Sequence, residues 1–203
     1  MRTGSGQPFA LVRANRWTSP DDISFGATDE LFVALDKLAS QDFEPIELTG
    51  LAVDDVSVER TVRRYRVERV LWARNARRFA DVERLRVRRG DTVRARIELR
   101  ALDDGSQRTE RMSFRVPGGR RRGVIRIAGG ATLADEEAGV VLTDEEGEAE
   151  PDSLDALLAD LVSAPRNDAL IGQASFRRAP IFLIEDRVVL GSDRLRLTIA
   201  RRR

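Results

Sequence analysis

One stretch of the chain decides the fold class: Val93-Arg94-Ala95-Arg96-Ile97-Glu98-Leu99-Arg100, in which apolar and charged residues alternate. A second alternating stretch, Met112-Ser113-Phe114-Arg115-Val116, follows it after Asp103-Asp104-Gly105-Ser106, a sequence typical of a tight turn. Because successive side chains of a strand point to opposite faces, the two stretches predict an antiparallel hairpin with one apolar and one charged face. Such a hairpin belongs to a sheet that buries one face and exposes the other to water.

Shorter alternations before and after this hairpin predict further strands. They lie near 9–12, 46–58, 65–71, 124–127, 179–190 and 194–200. The apolar parity slips at Thr49-Gly50 and at Asp54-Asp55, so the strand over 46–58 is expected to contain bulges or bends. Gly191-Ser192-Asp193 predicts a hairpin turn between the last two strands. Short strands with turns about ten residues apart favour an immunoglobulin-like antiparallel β-sandwich in a mainly β protein.

Two short helices interrupt the strand pattern. The first is predicted over 28–41, with Thr28 as its N-cap and Pro45 just beyond its end. The second is predicted over 152–163, where leucines recur at helical spacing before Pro165. The expected organisation is an N-terminal strand and helix segment, residues 1–45, that packs on a sandwich, residues 46–203. An acidic loop and helix insertion is expected at about 131–165.

The near-neutral total charge hides large charged blocks. The chain of 203 residues has 35 basic and 34 acidic residues, a net charge of +1. Counted along the chain, the net charge is −7 over 1–59, +14 over 60–126, −11 over 127–165 and +5 over 166–203. Because opposite charges attract, the basic strands and the acidic segment are expected to lie near each other.

Composition excludes the commonest catalytic chemistries. The chain has no cysteine and no histidine, which excludes disulfides, thiol nucleophiles, zinc–thiolate sites and a Ser-His-Asp triad. It contains no phosphate-binding P-loop and no G-x-S-x-G elbow. Its paired aspartates fall at predicted turns, where aspartate bonds nearby backbone, although acid–base chemistry by two other carboxylates stays an alternative. The sequence therefore predicts a non-enzymatic protein with no cofactor and no metal site.

Apolar stretches are short, which bears on location. The longest, Ile181-Phe182-Leu183-Ile184, is far below the roughly 20 residues that a membrane-spanning helix needs. The first residues lack the apolar core of a signal peptide, so the sequence as given predicts a cytoplasmic location.

Arginine supplies 34 of the 35 basic residues, Lys37 being the only lysine. Arginines that alternate along a strand project from one sheet face, and such a face can follow a row of phosphates. The candidate anion or partner contacts are Arg84, Arg86, Arg88, Arg120, Arg121 and Arg122. The near-neutral net charge and the scarcity of nearby aromatic residues weigh against nucleic acid, so a polyanion-binding module is the alternative function.

Several short sequence motifs, taken in their order along the chain, resemble those of a known family. They are Asn15-Arg16-Trp17, Phe43-Glu44-Pro45-Ile46, Val87-Arg88-Arg89-Gly90-Asp91-Thr92-Val93, Ser153-Leu154-Asp155-Ala156-Leu157-Leu158, Pro165-Arg166-Asn167-Asp168-Ala169-Leu170 and Val189-Leu190-Gly191-Ser192. This order resembles the region downstream of the catalytic domain in bacterial SpoIVB-type serine peptidase proteins. The peptidase domain of that family carries a histidine and a Gly-Met-Ser-Gly-Ser-Pro-like segment, and this chain has neither, so no catalytic residue carries over.

The resemblance implies a role and a setting. It implies a non-catalytic β-sandwich scaffold or protein-interaction region, whose partner is another protein or an adjoining peptidase domain. It also implies that the chain is either a free-standing module or a piece cut from a longer protein, and in the second case that its location is extracytoplasmic.

Overall fold

The computed structural model describes residues 1–3, 8–19, 23–53, 55–118, 121–133, 151–177 and 181–200. Its two longer helices are α1 (Ser24–Ser40) and α2 (Leu154–Ser163), and residues 130–133 are helical as well. Its strands are β1 (Arg2–Thr3), β2 (Ile46–Glu47), β3 (Arg64–Arg74), β4 (Arg84–Arg88), β5 (Thr92–Ala101), β6 (Gln107–Arg115), β7 (Arg122–Gly129), β8 (Ala169–Ala174), β9 (Ile181–Ile184), β10 (Val188–Leu190) and β11 (Ser192–Ala200). The prediction of a mainly β protein is confirmed.

These residues form two compact units, each taken over its described part. The first comprises Met1–Val62 and Val141–Ala164, and the second comprises Arg63–Val140 and Pro165–Arg203. This division differs from the one expected between residues 45 and 46. It also places α2 with the N-terminal segment, because α2 and α1 contribute side chains to one apolar cluster.

The first unit is built on that cluster. Its buried members are Ala34 and Leu38 from α1 with Leu154, Leu157 and Leu161 from α2. The Ser153 hydroxyl caps α2 by accepting a hydrogen bond from the Ala156 amide at 3.2 Å. At the other end of α2, Arg13 donates to two carbonyl oxygens and also pairs with Glu30 of α1. A single arginine therefore ties the two helices together.

The first helix begins four residues earlier than predicted. Thr28 is not its N-cap, because the Thr28 hydroxyl donates instead to the carbonyl of Ser24, one turn back within the helix. Ile23 occupies the N-cap position and makes no capping hydrogen bond with its side chain. A threonine inside a helix makes this contact readily, so the residue type alone did not distinguish an N-cap from an interior position.

The long strand predicted over 46–58 is wrong. Among the described residues of this segment only Ile46–Glu47 pairs, antiparallel with β1, and the large apolar residues beyond it are 51–76% exposed. These are Leu48, Leu51, Val53, Val56 and Val58. The parity slips cut the segment into pieces too short to hold one face against a neighbouring strand. The short strand predicted near 9–12 is also absent; there the Phe9 amide donates to the Met1 carbonyl.

The second unit contains two sheets on one core. The four-stranded sheet has the order β10-β3-β5-β6, and the five-stranded sheet has the order β4-β11-β7-β8-β9. The predicted hairpin is confirmed as β5–β6, with Gly105 at a φ of 69° in its turn. Both sheets contribute to the core: Trp72, Ile97, Leu99 and Phe114 come from the first, and Val87, Ile125, Ile127 and Leu195 come from the second.

The end of the chain crosses between the sheets instead of forming a hairpin. The predicted strand over 179–190 is two strands, of which β9 pairs with β8 and β10 pairs in parallel with β3. After Gly191, at a φ of 87°, β11 enters the five-stranded sheet and pairs in parallel with β4. The hairpin prediction at Gly191-Ser192-Asp193 is therefore wrong, and the sheets are not purely antiparallel. A glycine with positive φ permits either a hairpin or this change of sheet.

Strand β8 was not predicted. Its residues are buried on both faces, because Leu170 and Ala174 join the main core while Ala169 and Ile171 join a small cluster on the other side. A strand covered on both faces shows no apolar–polar alternation. Most of the predicted acidic loop lies outside the described residues, since eight of its carboxylates fall within 134–150. The predicted proximity of the basic strands to the acidic segment therefore also concerns residues outside the described part of the chain.

Gly129 marks a close approach between the two sheets. Its amide donates to the Gly191 carbonyl at 2.8 Å, and an added Cβ would fall on the Val189 carbonyl oxygen. We expect Gly129→Ala to lower the free energy of unfolding by roughly 1–3 kcal/mol, because β10 must move away. Urea unfolding would measure the change. Gly50→Ala is the control, since nothing lies within 4 Å of its Cβ position; equal effects of the two substitutions would contradict the prediction.

Candidate anion-binding surface

One face of the five-stranded sheet carries a dense group of arginines. On β4, β11 and β7 the odd-numbered apolar residues, such as Val87, Leu195 and Ile125, pack into the core. Because side chains alternate along a strand, the even-numbered residues point outward. We call these outward arginines the arginine face: Arg84, Arg86, Arg88, Arg122, Arg126, Arg194 and Arg196. All are exposed except Arg126, which is half-buried.

Strand register brings arginines from distant parts of the chain side by side. Arg196 of β11 lies opposite Arg84 of β4. Two residues along β11, Thr198 lies opposite Arg86 on one side and opposite Arg122 of β7 on the other. Neighbouring strands are about 4.8 Å apart and outward residues on one strand are about 6.7 Å apart, so these guanidinium groups can reach a common point above the sheet.

Four arginines of this face lack a carboxylate partner among the described residues. No acidic residue occupies an outward position on β4, β11 or β7. Within the described part of the chain, no ion pair joins Arg84, Arg86, Arg122 or Arg196 to a carboxylate. Like charges directly opposite each other destabilise a sheet, so this arrangement carries an electrostatic cost that a bound anion would relieve.

The outward face of the four-stranded sheet differs in its supply of carboxylates, although arginines lie opposite each other there too, as in the pair Arg96 and Arg111. Three of its arginines are paired locally: Arg69 with Asp81 at 2.9 Å, Arg96 with Glu98 at 3.2 Å and Arg100 with Glu68 at 3.3 Å. In addition, the guanidinium groups of Arg94 and Arg96 lie 5.4 Å from the centre of the Phe79 ring. The two faces thus have similar arginine content but a different supply of counter-charges.

The arginine face is bounded and lacks a stacking platform. At one end of the sheet, Ala128 and Ile171 pack with Leu133 of the helical segment 130–133, which covers that part of the surface. The outward positions on β4, β11 and β7 hold no aromatic residue. Bases of single-stranded nucleic acid stack on such rings, so this surface suits charged groups rather than exposed bases.

The structure unites part of the predicted arginine set. Arg84, Arg86, Arg88 and Arg122 share the face, although the first three precede Arg122 by more than thirty residues. Arg121 is exposed in the β6–β7 connection, where its carbonyl accepts a hydrogen bond from the Ile199 amide at 2.9 Å. Arg120 lies outside the described residues.

Arginines that the sequence reasoning missed complete the surface. They are Arg126, Arg194 and Arg196. Their signal was present, because arginine alternates with leucine along β11 in the same way that it does along β4. What the sequence did not show is that β11 lies between β4 and β7.

A second polar cluster lies at one end of the core, around Glu185. The Glu185 side chain is 1% exposed, and its Oε2 lies 2.8 Å from Arg108 Nη1 without a hydrogen-bonding angle. Burial raises the pKa of the Glu185 carboxyl to about 7, although the Arg108 guanidinium opposes the shift. The negative charges of Glu110, Asp186 and Asp168 raise this pKa further.

Asp168 beside it is held differently. Its carboxylate accepts two hydrogen bonds from Arg166, at 2.9 and 2.8 Å, and its backbone carbonyl accepts one from the Glu185 amide. Bidentate pairing of this kind fixes both side chains. Among the described residues, no group of three or more acidic side chains is arranged to hold a metal ion.

Comparisons of this chain with protein-family models, with curated proteins and with solved structures found no match. No helix in the described part of the chain has the length and apolar character needed to span a membrane.

The buried Glu185 carboxyl makes stability depend on pH. Its pKa is about 7 in the folded protein against an ordinary 4.5, so the folded state holds this proton more tightly. Its contribution to stability is present below pH 4.5 and is lost as the pH rises to 7. We expect Glu185→Gln to gain on the order of 3 kcal/mol relative to the native protein between pH 5 and pH 8. Urea unfolding at both pH values measures this; an unchanged difference would contradict it.

Proposed function

We propose that this chain is a non-catalytic binding module whose arginine face binds a polyanion. The observation that carries the proposal is the contrast between the two sheets. Arg69, Arg96 and Arg100 on the four-stranded sheet have carboxylate partners. The four arginines Arg84, Arg86, Arg122 and Arg196, which strand register brings together, have none among the described residues. Exposed cations concentrated on one face attract an anionic partner and release its counterions on binding.

The residue type supports the same function. A guanidinium group is planar and donates two parallel hydrogen bonds to a phosphate, sulfate or carboxylate group, which a lysine ammonium does not. Every outward cation on β4, β11 and β7 is an arginine. A sheet also holds these side chains on a rigid framework, so little ordering is needed when a ligand binds.

A scaffold or protein-interaction role is the second candidate, and a different observation favours it. Leu48, Leu51, Val53, Val56 and Val58 form an exposed apolar stretch in the first unit, and such stretches mark protein contacts. This role agrees with the resemblance to the downstream region of SpoIVB-type peptidase proteins, which stays a prediction together with the immunoglobulin-like arrangement of the sheets. A protein partner with an acidic surface would satisfy both candidates.

Binding of fluorescent duplex DNA and of heparin tests the polyanion function. If four phosphates are contacted, the affinity for DNA should fall about a hundredfold between 50 and 200 mM salt. The triple variant Arg84→Gln, Arg86→Gln, Arg122→Gln should bind at least tenfold more weakly, with a salt dependence reduced by about one unit per arginine. Fluorescence anisotropy at several salt concentrations measures both.

The matched control changes the net charge equally on the other sheet. The variant Arg69→Gln, Arg96→Gln, Arg100→Gln removes three arginines that already have carboxylate partners. We expect it to retain affinity within about threefold, because these charges are neutralised locally. Equal losses in the two triple variants, or no polyanion binding by the native chain, would contradict the proposal.

The proposal that the chain has no enzymatic activity is tested by a separate experiment. The purified chain would be incubated with generic peptidase, esterase and glycosidase substrates, and no turnover is expected. Turnover that a single substitution such as Glu185→Gln abolishes would show that the buried acidic cluster is a catalytic site.

A further inference from the structure

Thr198 has an unusual set of neighbours on the arginine face. It is the one outward position of β11 that lies between two arginines, Arg86 on β4 and Arg122 on β7. Arg196 precedes it by two residues on the same face, with Arg84 alongside. Thr198 is itself exposed, so its small side chain leaves open space among four much longer ones.

We infer that Thr198 lies at the base of a binding site for one tetrahedral oxyanion, a phosphate or sulfate group. This inference rests on the proposed function and names the point at which a polyanion is anchored. The Thr198 hydroxyl donates to one oxygen of the group, and the Arg86 and Arg122 guanidinium groups bind it from opposite sides. Arg196 approaches from a third direction, along β11.

The directions of the donors favour a tetrahedral group over a carboxylate. A carboxylate presents its two oxygens in one plane, which suits one guanidinium group in bidentate contact. Here donors stand on three adjacent strands around a central hydroxyl, and a phosphate or sulfate ester offers several oxygens that diverge in space.

The site would hold its ligand by charge and not by base recognition. No aromatic side chain occupies an outward position on β4, β11 or β7. The same site therefore accepts a phosphate from a nucleic acid backbone or a sulfate from a sulfated polysaccharide. Duplex DNA and heparin, used as separate probes, distinguish these two sources.

Substitutions at Thr198 test the site directly. Thr198→Val keeps the shape and removes the donor, so affinity for the better polyanion should fall about fivefold. Thr198→Glu places a carboxylate among the arginines and should lower affinity more than twentyfold. The controls are Thr109→Val and Thr109→Glu, at an exposed position of β6 that lies opposite Glu98 on the other sheet. They should change affinity less than twofold.

A titration with inorganic phosphate tests the site without a polymer. At matched ionic strength, phosphate should shift the backbone amide resonances of Thr198, Arg86 and Arg122 saturably, while chloride should not. Thr109 should show no saturable shift. Loss of the phosphate response in Thr198→Glu, with unchanged thermal unfolding, would place the anion at this point.

The failures of the two proposals are distinguishable. If the arginine variants lose polyanion binding while Thr198→Val and Thr198→Glu bind like the native chain, the oxyanion site is wrong and the arginine face stands. If phosphate shifts Thr198 but no polymer binds, the polyanion function is wrong and the site stands. A uniform phosphate effect on all exposed amides would overturn the site.

Discussion

Burial of one side of each strand in a shared core is the constraint on which the second unit depends. Trp72 and Phe114 from one sheet, with Ile125 and Leu195 from the other, exclude water from the space between the sheets. Once these residues point inward, the alternation of strand side chains leaves no choice for the residues between them. The arginines of β4, β11 and β7 therefore point outward because their apolar neighbours point inward.

The two outward faces illustrate how similar sequences acquire different surfaces. Strands β3 and β5 supply glutamates beside their arginines, and the loop residues Phe79 and Asp81 add a ring and a carboxylate. Strands β4, β11 and β7 supply only arginine and small or uncharged residues at outward positions. Local composition is alike, but the supply of counter-charges differs, and this difference supports a binding role for one face and a structural role for the other.

Much of the fold could be predicted where an element has one face in the core and the other exposed to solvent. The β5–β6 hairpin, β7 and α2 were found from their apolar periodicity, because each presents one side to the core and one to solvent. Strand β8 was not predicted, because both of its faces are buried. The segment after β2 was wrongly predicted as a strand, because its apolar residues alternate without any strand to pair with. Periodicity reports the shape of a segment and not the presence of a partner.

The sequence by itself determined the strand character of the second unit, the outward projection of alternating arginines and the absence of thiol and imidazole chemistry. Only the tertiary structure decided that β11 lies between β4 and β7, which places Thr198 between Arg86 and Arg122. The same holds for Gly191, where the chain passes from one sheet to the other instead of turning back. The physical reason is that alternation is a local property of a strand, whereas neighbours in a sheet are chosen by packing between segments far apart in the chain.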